Sequence, residues 1–326
     1  MTEKHEFILK CRNDVINDKK LTKYSVSKLF NLDNEFLLNL SDAANSITRY
    51  FQGSGIDVEE LANIKKNFCS EDCAFCSQSA FFNTKIPGYQ LPAPDEIVQQ
   101  ALNAKNEGAN SFCLVAAWRE PNTLDFEKVC KIIEEINKKV KISIECSLGF
   151  LTTKQAKKLK KLQVKRYNHN LETSRSKFSE ICSTHTYQDR VNTLQIARSA
   201  GLELCTGGII GLGETRKQRE ELIFEIIKFA PEEVTINLLV PMPGTPLELQ
   251  KPLKNVEILK VFTTLRFLLP NSIIKISGGR ELNLDDDGKK LLLAGANGII
   301  SAGYLTMDGN PIQKDLEMIK EMNLEV

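Results

Sequence analysis

The sequence has almost no net charge and no long apolar run. Lysine and arginine together number 43 and aspartate and glutamate 42, which leaves a formal net charge of +1. This balance creates no field that would attract nucleic acid or an anionic membrane, so we expect neither as a partner. No apolar run reaches the roughly 18 residues that a membrane-spanning helix needs. The first residues, MTEKHEFILKCRND, lack the apolar segment of a secretory signal, and we therefore expect a cytoplasmic protein.

Histidine is scarce, with three residues, and the nine cysteines are an odd number. An odd count in a long chain without a secretory signal does not indicate a disulfide framework. The thiols are therefore available for metal binding, for catalysis or for the core. Cys69, Cys73 and Cys76 fall within eight residues, and no other cysteine or histidine is close to them in sequence. We predict that three of the remaining cysteines are inert: Cys11, Cys130 and Cys182.

Apolar periodicity divides the chain into helical and strand-forming runs. The stretch up to about residue 57 is amphipathic at helical spacing, and beyond it short apolar runs alternate with longer amphipathic ones. We predict strands at 60–66, 111–117, 141–147, 164–170, 203–210, 233–240, 273–278 and 297–301. We predict helices between and after them, at 94–107, 123–138, 153–162, 186–200, 214–229, 254–268, 284–294 and 313–323.

This alternation of strands and helices is typical of an α/β fold, the (β/α)8 barrel of the TIM type. An open doubly wound sheet is the alternative, but the regular repetition of the units favours closure. We therefore predict an N-terminal helical extension at 1–57 and a barrel at 58–326. In such a barrel the active site lies at the C-terminal ends of the strands.

The three clustered cysteines follow the first predicted strand. Four thiolates would close a tetrahedral zinc site or saturate a four-iron cluster, whereas three leave one iron open to another ligand. The spacing Cys69-Ser-Glu-Asp-Cys73-Ala-Phe-Cys76 favours an iron–sulfur cluster over zinc, because zinc ligands usually come as two CxxC pairs. A zinc site with a distant fourth ligand and a redox disulfide remain alternatives.

The CxxxCxxC spacing, with an aromatic residue before the last cysteine, resembles the radical S-adenosylmethionine superfamily. The longer run NIKKNFCSEDCAFCSQSA resembles the biotin synthase family within it. Further segments are similar to that family from about residue 40 to the end: CLVAAW (113–118), YNHNLETS (167–174), THTYQDR (184–190), CTGGIIGLGE (205–214), PGTPLE (243–248), SGGRE (277–281) and AGANGIISAGYLTMDGN (294–310).

The resemblance implies a reaction and its partners. A flavodoxin or ferredoxin would reduce a 4Fe-4S cluster, which would cleave S-adenosylmethionine to methionine and a 5′-deoxyadenosyl radical. That radical would take hydrogen from dethiobiotin, and a second iron–sulfur cluster, 2Fe-2S or a variant, would supply the sulfur of biotin. The family also implies a homodimer. Two alternatives stay open: a related radical enzyme that acts on another small substrate without a second cluster, and a non-catalytic iron–sulfur or zinc protein.

The resemblance also implies binding residues. Asn168, Asn170 and Glu172 alternate along the fourth predicted strand, so they share one face, and that face should point inward. The family implies contacts with S-adenosylmethionine for these three, for Arg190 and for the turn glycines Gly207 and Gly208. It implies substrate contacts for Asn170 and Asn237. Taken alone, the glycine run is equally typical of a tight strand-to-helix turn.

The second cluster of the family is held by three cysteines and an arginine, and this sequence departs from that set. Cys113 and Cys205 match, but Glu145 stands at the place of the third cysteine and Lys275 at that of the arginine. Strand phase turns Glu145 inward and Cys146 outward, unless a bulge reverses them. We predict that Glu145 and Lys275 form a buried ion pair, or that one of them serves an altered cluster.

Overall fold

The computed structural model describes residues 2–326. The chain begins with three helices, α1 (Glu3–Ile16), α2 (Lys23–Phe30) and α3 (Leu37–Gln52), and a single 3₁₀ turn at Asn34–Phe36 precedes the third. Threonine hydroxyls at the N-terminal ends of α1 and α2 accept hydrogen bonds from backbone N–H groups of the first turn. Such caps satisfy donors that a helix cannot pair internally.

Nine strand segments follow from residue 57 onward. They are β1 (Asp57–Lys65), β2 (Ser111–Ala116), β3 (Ser143–Ser147), β4 (Arg166–Asn168), β5 (Glu203–Cys205), β6 (Gly208–Ile210), β7 (Glu233–Leu238), β8 (Ile273–Ile276) and β9 (Gly298–Ile300). All their pairings are parallel, in the order β5-β4-β3-β2-β1-β9-β8-β7-β6. Cys205 of β5 also pairs with Glu233 of β7, which closes the sheet into a barrel.

Helices alternate with these strands and cover the outside of the barrel. They are α4 (Pro94–Glu107), α5 (Thr123–Lys139), α6 (Thr153–Lys161), α7 (Phe178–Ile181), α8 (Tyr187–Ser199), α9 (Arg216–Ile227), α10 (Asn255–Leu268), α11 (Arg280–Asn283), α12 (Lys289–Leu292) and α13 (Ile312–Glu321). Because β5 and β6 share one position in the wall, the barrel has the eight strand positions of the predicted fold. The predicted α/β barrel is therefore confirmed.

Alternate residues of each strand separate the apolar layer from the interior. On β3, Ile144 and Cys146 pack in the apolar core, whereas the Glu145 side chain contacts Arg166 of the neighbouring strand. On β2, Leu114 is in the same core, and its neighbour Cys113 lines a cavity inside the barrel. This is the inward and outward phase that strand periodicity predicts.

The structure corrects three predicted boundaries. Of the helix expected at 284–294, only 289–292 are helical, as α12, because Asp287 and Gly288 have positive φ angles of 54° and 94° that no α-helix accommodates. The strand expected at 203–210 is interrupted at Thr206 and Gly207. The strand expected at 60–66 begins earlier, since Asp57 already pairs in β1.

The N-terminal helices pack against the barrel layer through α10. Leu40 and Ile47 of α3 lie in one apolar cluster with Phe267 of α10. The buried Lys260 of α10 donates to the Leu32 carbonyl oxygen at 2.7 Å. Within residues 2–326, no helix is both long enough and apolar enough to cross a bilayer.

Candidate active site

A cavity of about 290 Å³ opens at the C-terminal ends of the barrel strands, where this fold places active sites. Ten of the predicted site residues line it: Cys69, Cys73, Cys76, Cys113, Asn168, Asn170, Glu172, Arg190, Cys205 and Asn237. Five others lie outside the lining: Glu145, Cys146, Gly207, Gly208 and Lys275. The structure thus brings together the residues of the S-adenosylmethionine and substrate predictions, apart from the two glycines.

The three clustered cysteines come from the loop after β1, which folds back on itself. Asn67 has a positive φ of 65°, a conformation that asparagine adopts more readily than most residues. The Cys69 N–H donates to the Gln78 carbonyl oxygen at 2.9 Å, and the Cys76 N–H donates to the Cys73 carbonyl oxygen at 2.8 Å. These bonds hold the loop so that all three thiols reach the cavity.

The three thiols are poorly solvated. Burial raises the pKa of the Cys69 thiol and raises the pKa of Cys76 to about 12. The contact with Cys182 and burial together raise the pKa of Cys73 well above its usual value. Metal binding at these cysteines must therefore displace protons.

Cys182 lies next to the cysteine loop, a position that its place in the sequence did not indicate. Its Sγ is 3.8 Å from the Cys73 Sγ and 3.2 Å from the His185 Nδ1, although it does not line the cavity. Asp72, between two of the clustered cysteines, accepts hydrogen bonds from the backbone N–H groups of Ser183 and Thr184 at 2.9 and 3.1 Å. The segment at 182–185 therefore supports the cysteine loop from behind.

The polar residues after β4 keep their alternation beyond the end of the strand. Asn168, Asn170 and Glu172 all line the cavity, and so does His169. Tyr167, before Asn168, and Leu171, between Asn170 and Glu172, pack in the apolar core. The Asn168 Oδ1 is buried without a hydrogen-bond partner, and its Nδ2 lies 3.5 Å from the Cys113 Sγ. An unpartnered buried amide oxygen is costly, which is typical of a group that binds a ligand.

Two of the three guanidinium nitrogens of Arg190 bond to the protein. Its Nε donates to the His185 Nε2 at 3.0 Å, and its Nη1 donates to the Asn170 carbonyl oxygen and to Glu172 Oε1, both at 3.0 Å. Its Nη2 makes no hydrogen bond to any residue between 2 and 326. The guanidinium therefore has one nitrogen left for an anionic ligand in the cavity.

Gly207 and Gly208 do not line the cavity, and both pack closely against neighbouring backbone. A Cβ atom on Gly207 would lie 1.9 Å from the Thr235 carbonyl oxygen, and one on Gly208 would lie 2.6 Å from the Glu172 carbonyl oxygen. Glycine is required here because neighbouring backbones approach too closely for any side chain. The structure thus gives both glycines a packing role in the barrel wall.

Asn237 of β7 is buried, and the oxygen of its side-chain amide is held by a backbone N–H group. Its Oδ1 accepts from the Gly278 N–H at 3.0 Å, while its Nδ2 lies 3.5 Å from the Gly208 carbonyl oxygen. The held oxygen fixes the amide so that its nitrogen is the end available to a ligand. Tyr304 lies beside Gly278 and lines the same cavity.

Two of the four predicted second-cluster positions face the cavity. The Cys205 Sγ lies 2.6 Å from the Thr235 Oγ1, and Cys113 is the thiol beside Asn168. Both cysteines are fully buried. Burial raises the pKa of both thiols well above the usual value. Nearby carboxylates add to this, chiefly Glu59 and Glu145 for Cys113 and Glu233 and Glu145 for Cys205.

The direct ion pair predicted between Glu145 and Lys275 is absent, because each side chain takes other partners. Glu145 Oε1 accepts from the Arg166 Nη1 at 2.5 Å. The Lys275 Nζ contacts Glu233 at 2.9 Å and also pairs with Glu59. Arg166 Nη1 bonds to Glu233 at 2.7 Å, so the two predicted residues are joined only through this network. Cys146 packs outward in the apolar layer, as strand phase predicts.

Several site residues were missed by the sequence analysis. The most informative is Glu71, inside the cysteine loop, which is 6% exposed and bonds to His185 Nδ1 at 2.5 Å. Its oxygens also accept from Arg119 at 3.2 and 3.3 Å and from the Thr184 hydroxyl at 2.8 Å. The presence of a carboxylate between the cysteines was the only signal in the sequence, and loop carboxylates are usually exposed.

Two protein families match the chain in succession. Residues 63–226 match the Radical SAM superfamily. Residues 235–325 match the Biotin and Thiamin Synthesis associated domain. The first range includes the cysteine loop and Arg190, and the second includes Asn237.

Curated relatives are similar over nearly their whole length. The biotin synthase of Nitrosopumilus maritimus is 65% identical over 320 residues, which are 98% of this chain and 98% of that protein. The biotin synthase of Cenarchaeum symbiosum is 59% identical over 318 residues, 98% of this chain and 99% of that protein. Among solved structures, a methylornithine synthase superposes with a TM-score of 0.85 over 97% of this chain and 96% of its own, at 20% identity. That last likeness concerns the fold alone.

Proposed function

The chain belongs to the biotin synthase family of radical S-adenosylmethionine enzymes, and we propose that it carries out the family's reaction in the cavity at the mouth of its barrel. That reaction converts dethiobiotin to biotin by inserting sulfur at unactivated carbons. The family uses a four-iron cluster and S-adenosylmethionine, and a second iron–sulfur cluster is typical of it. The observation that carries the proposal is the convergence of three thiols, Arg190 and Asn170 on one cavity.

The residues of the cysteine loop fit a four-iron cluster. Cys69, Cys73 and Cys76 belong to one loop and line one cavity. Of the other thiols, Cys182 is behind this loop and outside the cavity lining, and Cys113 and Cys205 lie on barrel strands. Three thiolates would hold a four-iron cluster with one iron left open to a further ligand, here S-adenosylmethionine. When bound, the cluster supplies the electron that cleaves S-adenosylmethionine and so starts radical chemistry on the substrate.

Arg190 is the residue that we assign to the carboxylate of S-adenosylmethionine. Its Nε and Nη1 are engaged with the protein, and its Nη2 is left for a ligand. A guanidinium bound to a carboxylate gives a charge-assisted hydrogen bond, which is stronger than a neutral one. Glu172, held by Arg190 at 3.0 Å, is placed to accept from the ribose or amino group of the same ligand.

Asn168 and Asn170 provide amide groups that the protein leaves free. The Asn168 Oδ1 has no partner, and the Asn170 side chain makes no hydrogen bond to any of the described residues. We assign both to S-adenosylmethionine, and Asn170 also to the ureido ring of dethiobiotin. Asn237, whose oxygen is fixed by the Gly278 N–H, is assigned to the substrate. An amide matches the donor and acceptor groups of a urea.

The cysteine loop and the C-terminal segment contact each other beside the cavity. The Ser77 Oγ and the Thr306 Oγ1 lie 3.0 Å apart, so the segment after β9 touches the cysteine loop. Tyr304 and Met307 of that segment line the cavity.

Two further aspects of the proposal rest on the family, and a third rests on the cysteines. A flavodoxin or ferredoxin is proposed as the electron donor, and a homodimer as the working form. A cytoplasmic location is supported by the nine cysteines, all of which are free thiols. Reduced thiols are what a cytoplasm maintains.

Cluster binding can be tested by anaerobic reconstitution with iron and sulfide, followed by Mössbauer spectroscopy. We expect a four-iron cluster in the wild type and its loss in Cys69→Ala, Cys73→Ala and Cys76→Ala. Cys130→Ala is the matched control, because Cys130 is a buried thiol on the outer helix α5. Stoichiometric zinc without iron-dependent absorbance would show that the proposal is wrong.

A further inference from the structure

The barrel interior next to Cys113 and Cys205 contains a layer of charged side chains, all of them buried except the half-buried Asp57. It contains four carboxylates and two cations: Asp57, Glu59, Glu145 and Glu233 with Arg166 and Lys275. Two of these six, Glu145 and Lys275, stand where the resemblance places ligands of a second cluster. Neither lines the cavity, whereas both thiols do.

The ammonium group of Lys275 is paired with three carboxylates. Its Nζ lies 2.9 Å from Asp57 and 2.9 Å from Glu233, and it also pairs with Glu59. The side chain is completely buried. Burial alone would lower the pKa of Lys275, but these carboxylates outweigh it and raise that pKa well above the usual value. An ammonium group has no lone pair, so it offers nothing to a metal.

Glu145 is held by a strand neighbour. It pairs in register with Arg166, whose Nη1 bonds to its Oε1 at 2.5 Å. The same Arg166 nitrogen bonds to Glu233 at 2.7 Å, which ties the Glu145 side chain to the Lys275 side chain through one shared carboxylate. Glu145 does not line the cavity, so its bonded partner is in the barrel wall and not among the thiols.

Of the four positions that the family uses for the second cluster, those of Cys113 and Cys205 face the cavity. Cys113 contacts the Asn168 amide at 3.5 Å, and Cys205 contacts the Thr235 hydroxyl at 2.6 Å. Cys146, the other cysteine on β3, packs with the outer apolar layer. The interior thus contains two thiols and no third sulfur ligand among the residues of the barrel wall that the structure describes.

We infer that Glu145 and Lys275 are structural members of this charged layer rather than cluster ligands, and that the iron or sulfur held inside the barrel is attached to Cys113 and Cys205 alone. This rests on the proposed function in one respect, the use of these two thiols for the sulfur that biotin receives. The chain therefore departs from the three-cysteine-and-arginine set of its family.

The test is a count of iron, acid-labile sulfide and sulfane sulfur in the full chain after anaerobic reconstitution. We expect the wild type to retain iron or sulfur in excess of one four-iron cluster. Glu145→Gln and Lys275→Met should retain the same excess, and Lys275→Met should also lower the unfolding midpoint. Cys113→Ser and Cys205→Ser should each lose the excess. Cys146→Ala is the matched control on β3 and should keep it.

Each outcome decides the inference. Loss of the excess in a folded Glu145→Gln or Lys275→Met chain would make that residue a ligand and overturn it. A wild type without any excess, or an excess that survives both thiol variants, would also overturn it. The four-iron signal of the cysteine loop and 5′-deoxyadenosine formation report separately on the proposed function. They should be unaffected in Glu145→Gln whichever result the counts give.

Discussion

The Nε of Arg190 donates a hydrogen bond to the Nε2 of His185 at 3.0 Å. Because this imidazole nitrogen accepts, the proton of the neutral ring is on Nδ1, which lies 2.5 Å from Glu71 Oε2. Glu71 is part of the cysteine loop, and Arg190 is the residue proposed to bind the carboxylate of S-adenosylmethionine. A carboxylate–imidazole–guanidinium chain therefore connects the proposed cluster site with the proposed ligand site.

We predict that His185→Phe weakens binding of S-adenosylmethionine about tenfold, since a hydrogen bond to a charged group contributes roughly 1.5 kcal/mol or more. His185→Gln should bind nearly as the wild type does, because its side-chain oxygen accepts from the Arg190 Nε in the same place. Equilibrium dialysis with the reconstituted protein measures both affinities. Equal affinities in the two variants would show that His185 does not position Arg190.

Because Lys275 and Glu145 have different partners in the charged layer, we predict that replacing them lowers the unfolding free energy by different amounts. Lys275→Met leaves the buried Glu59 and Glu233 and the half-buried Asp57 without their shared cation, and should cost about 3–5 kcal/mol of unfolding free energy. Glu145→Gln keeps an oxygen for Arg166 and removes a charge from a layer rich in carboxylates, so it should cost about 1 kcal/mol or less. Chemical denaturation measures both. A larger loss for Glu145→Gln would contradict the arrangement of ion pairs.

Gly207→Ala should destabilise the fold by about 3 kcal/mol or more, because its Cβ would lie 1.9 Å from the Thr235 carbonyl oxygen. Gly55→Ala is the matched control, since the nearest atom to its Cβ is 3.8 Å away. Thermal unfolding compares the two. If Gly207→Ala unfolded at the wild-type temperature and only bound S-adenosylmethionine more weakly, the glycine would be a ligand contact after all.

Asn237→Ala should raise the KM for dethiobiotin by about tenfold and leave that for S-adenosylmethionine within a factor of two, given roughly 1.5 kcal/mol for a buried amide contact. Asn170→Ala should weaken the use of both compounds, because it is assigned to both. Initial rates of 5′-deoxyadenosine formation give the two constants. A selective effect of Asn237→Ala on S-adenosylmethionine would reverse the assignment.

Local sequence patterns were sufficient for the architecture and for the side of each strand that faces inward. The helix predicted at 94–107 is α4 with the same bounds, because Pro94 begins it and Gly108 ends it. The two-residue period of a strand also predicted correctly that Glu145 faces inward and Cys146 outward, since each strand has one apolar face. The helix expected at 284–294 was wrong because 285–288 form a turn in which Asp287 and Gly288 have positive φ angles.

The partners of inward side chains could not be predicted in the same way. Arg166 and Lys275 meet at Glu233, and these three residues come from strands far apart in the sequence. Which of them meet depends on strand order and on the stagger of the closed barrel, neither of which leaves a local signal. The contact of Cys182 with Cys73 is of the same kind, because a loop 109 residues away returns to the cysteine loop.

The most direct test of the central claim is biotin formation by the reduced, anaerobically reconstituted chain given S-adenosylmethionine and dethiobiotin. Mass spectrometry should detect both biotin and 5′-deoxyadenosine in the wild type, and neither product in Cys76→Ala. Cys130→Ala should yield both. A wild type that binds the four-iron cluster and cleaves S-adenosylmethionine, yet forms no biotin and shows no response to dethiobiotin, would contradict the assignment of this substrate.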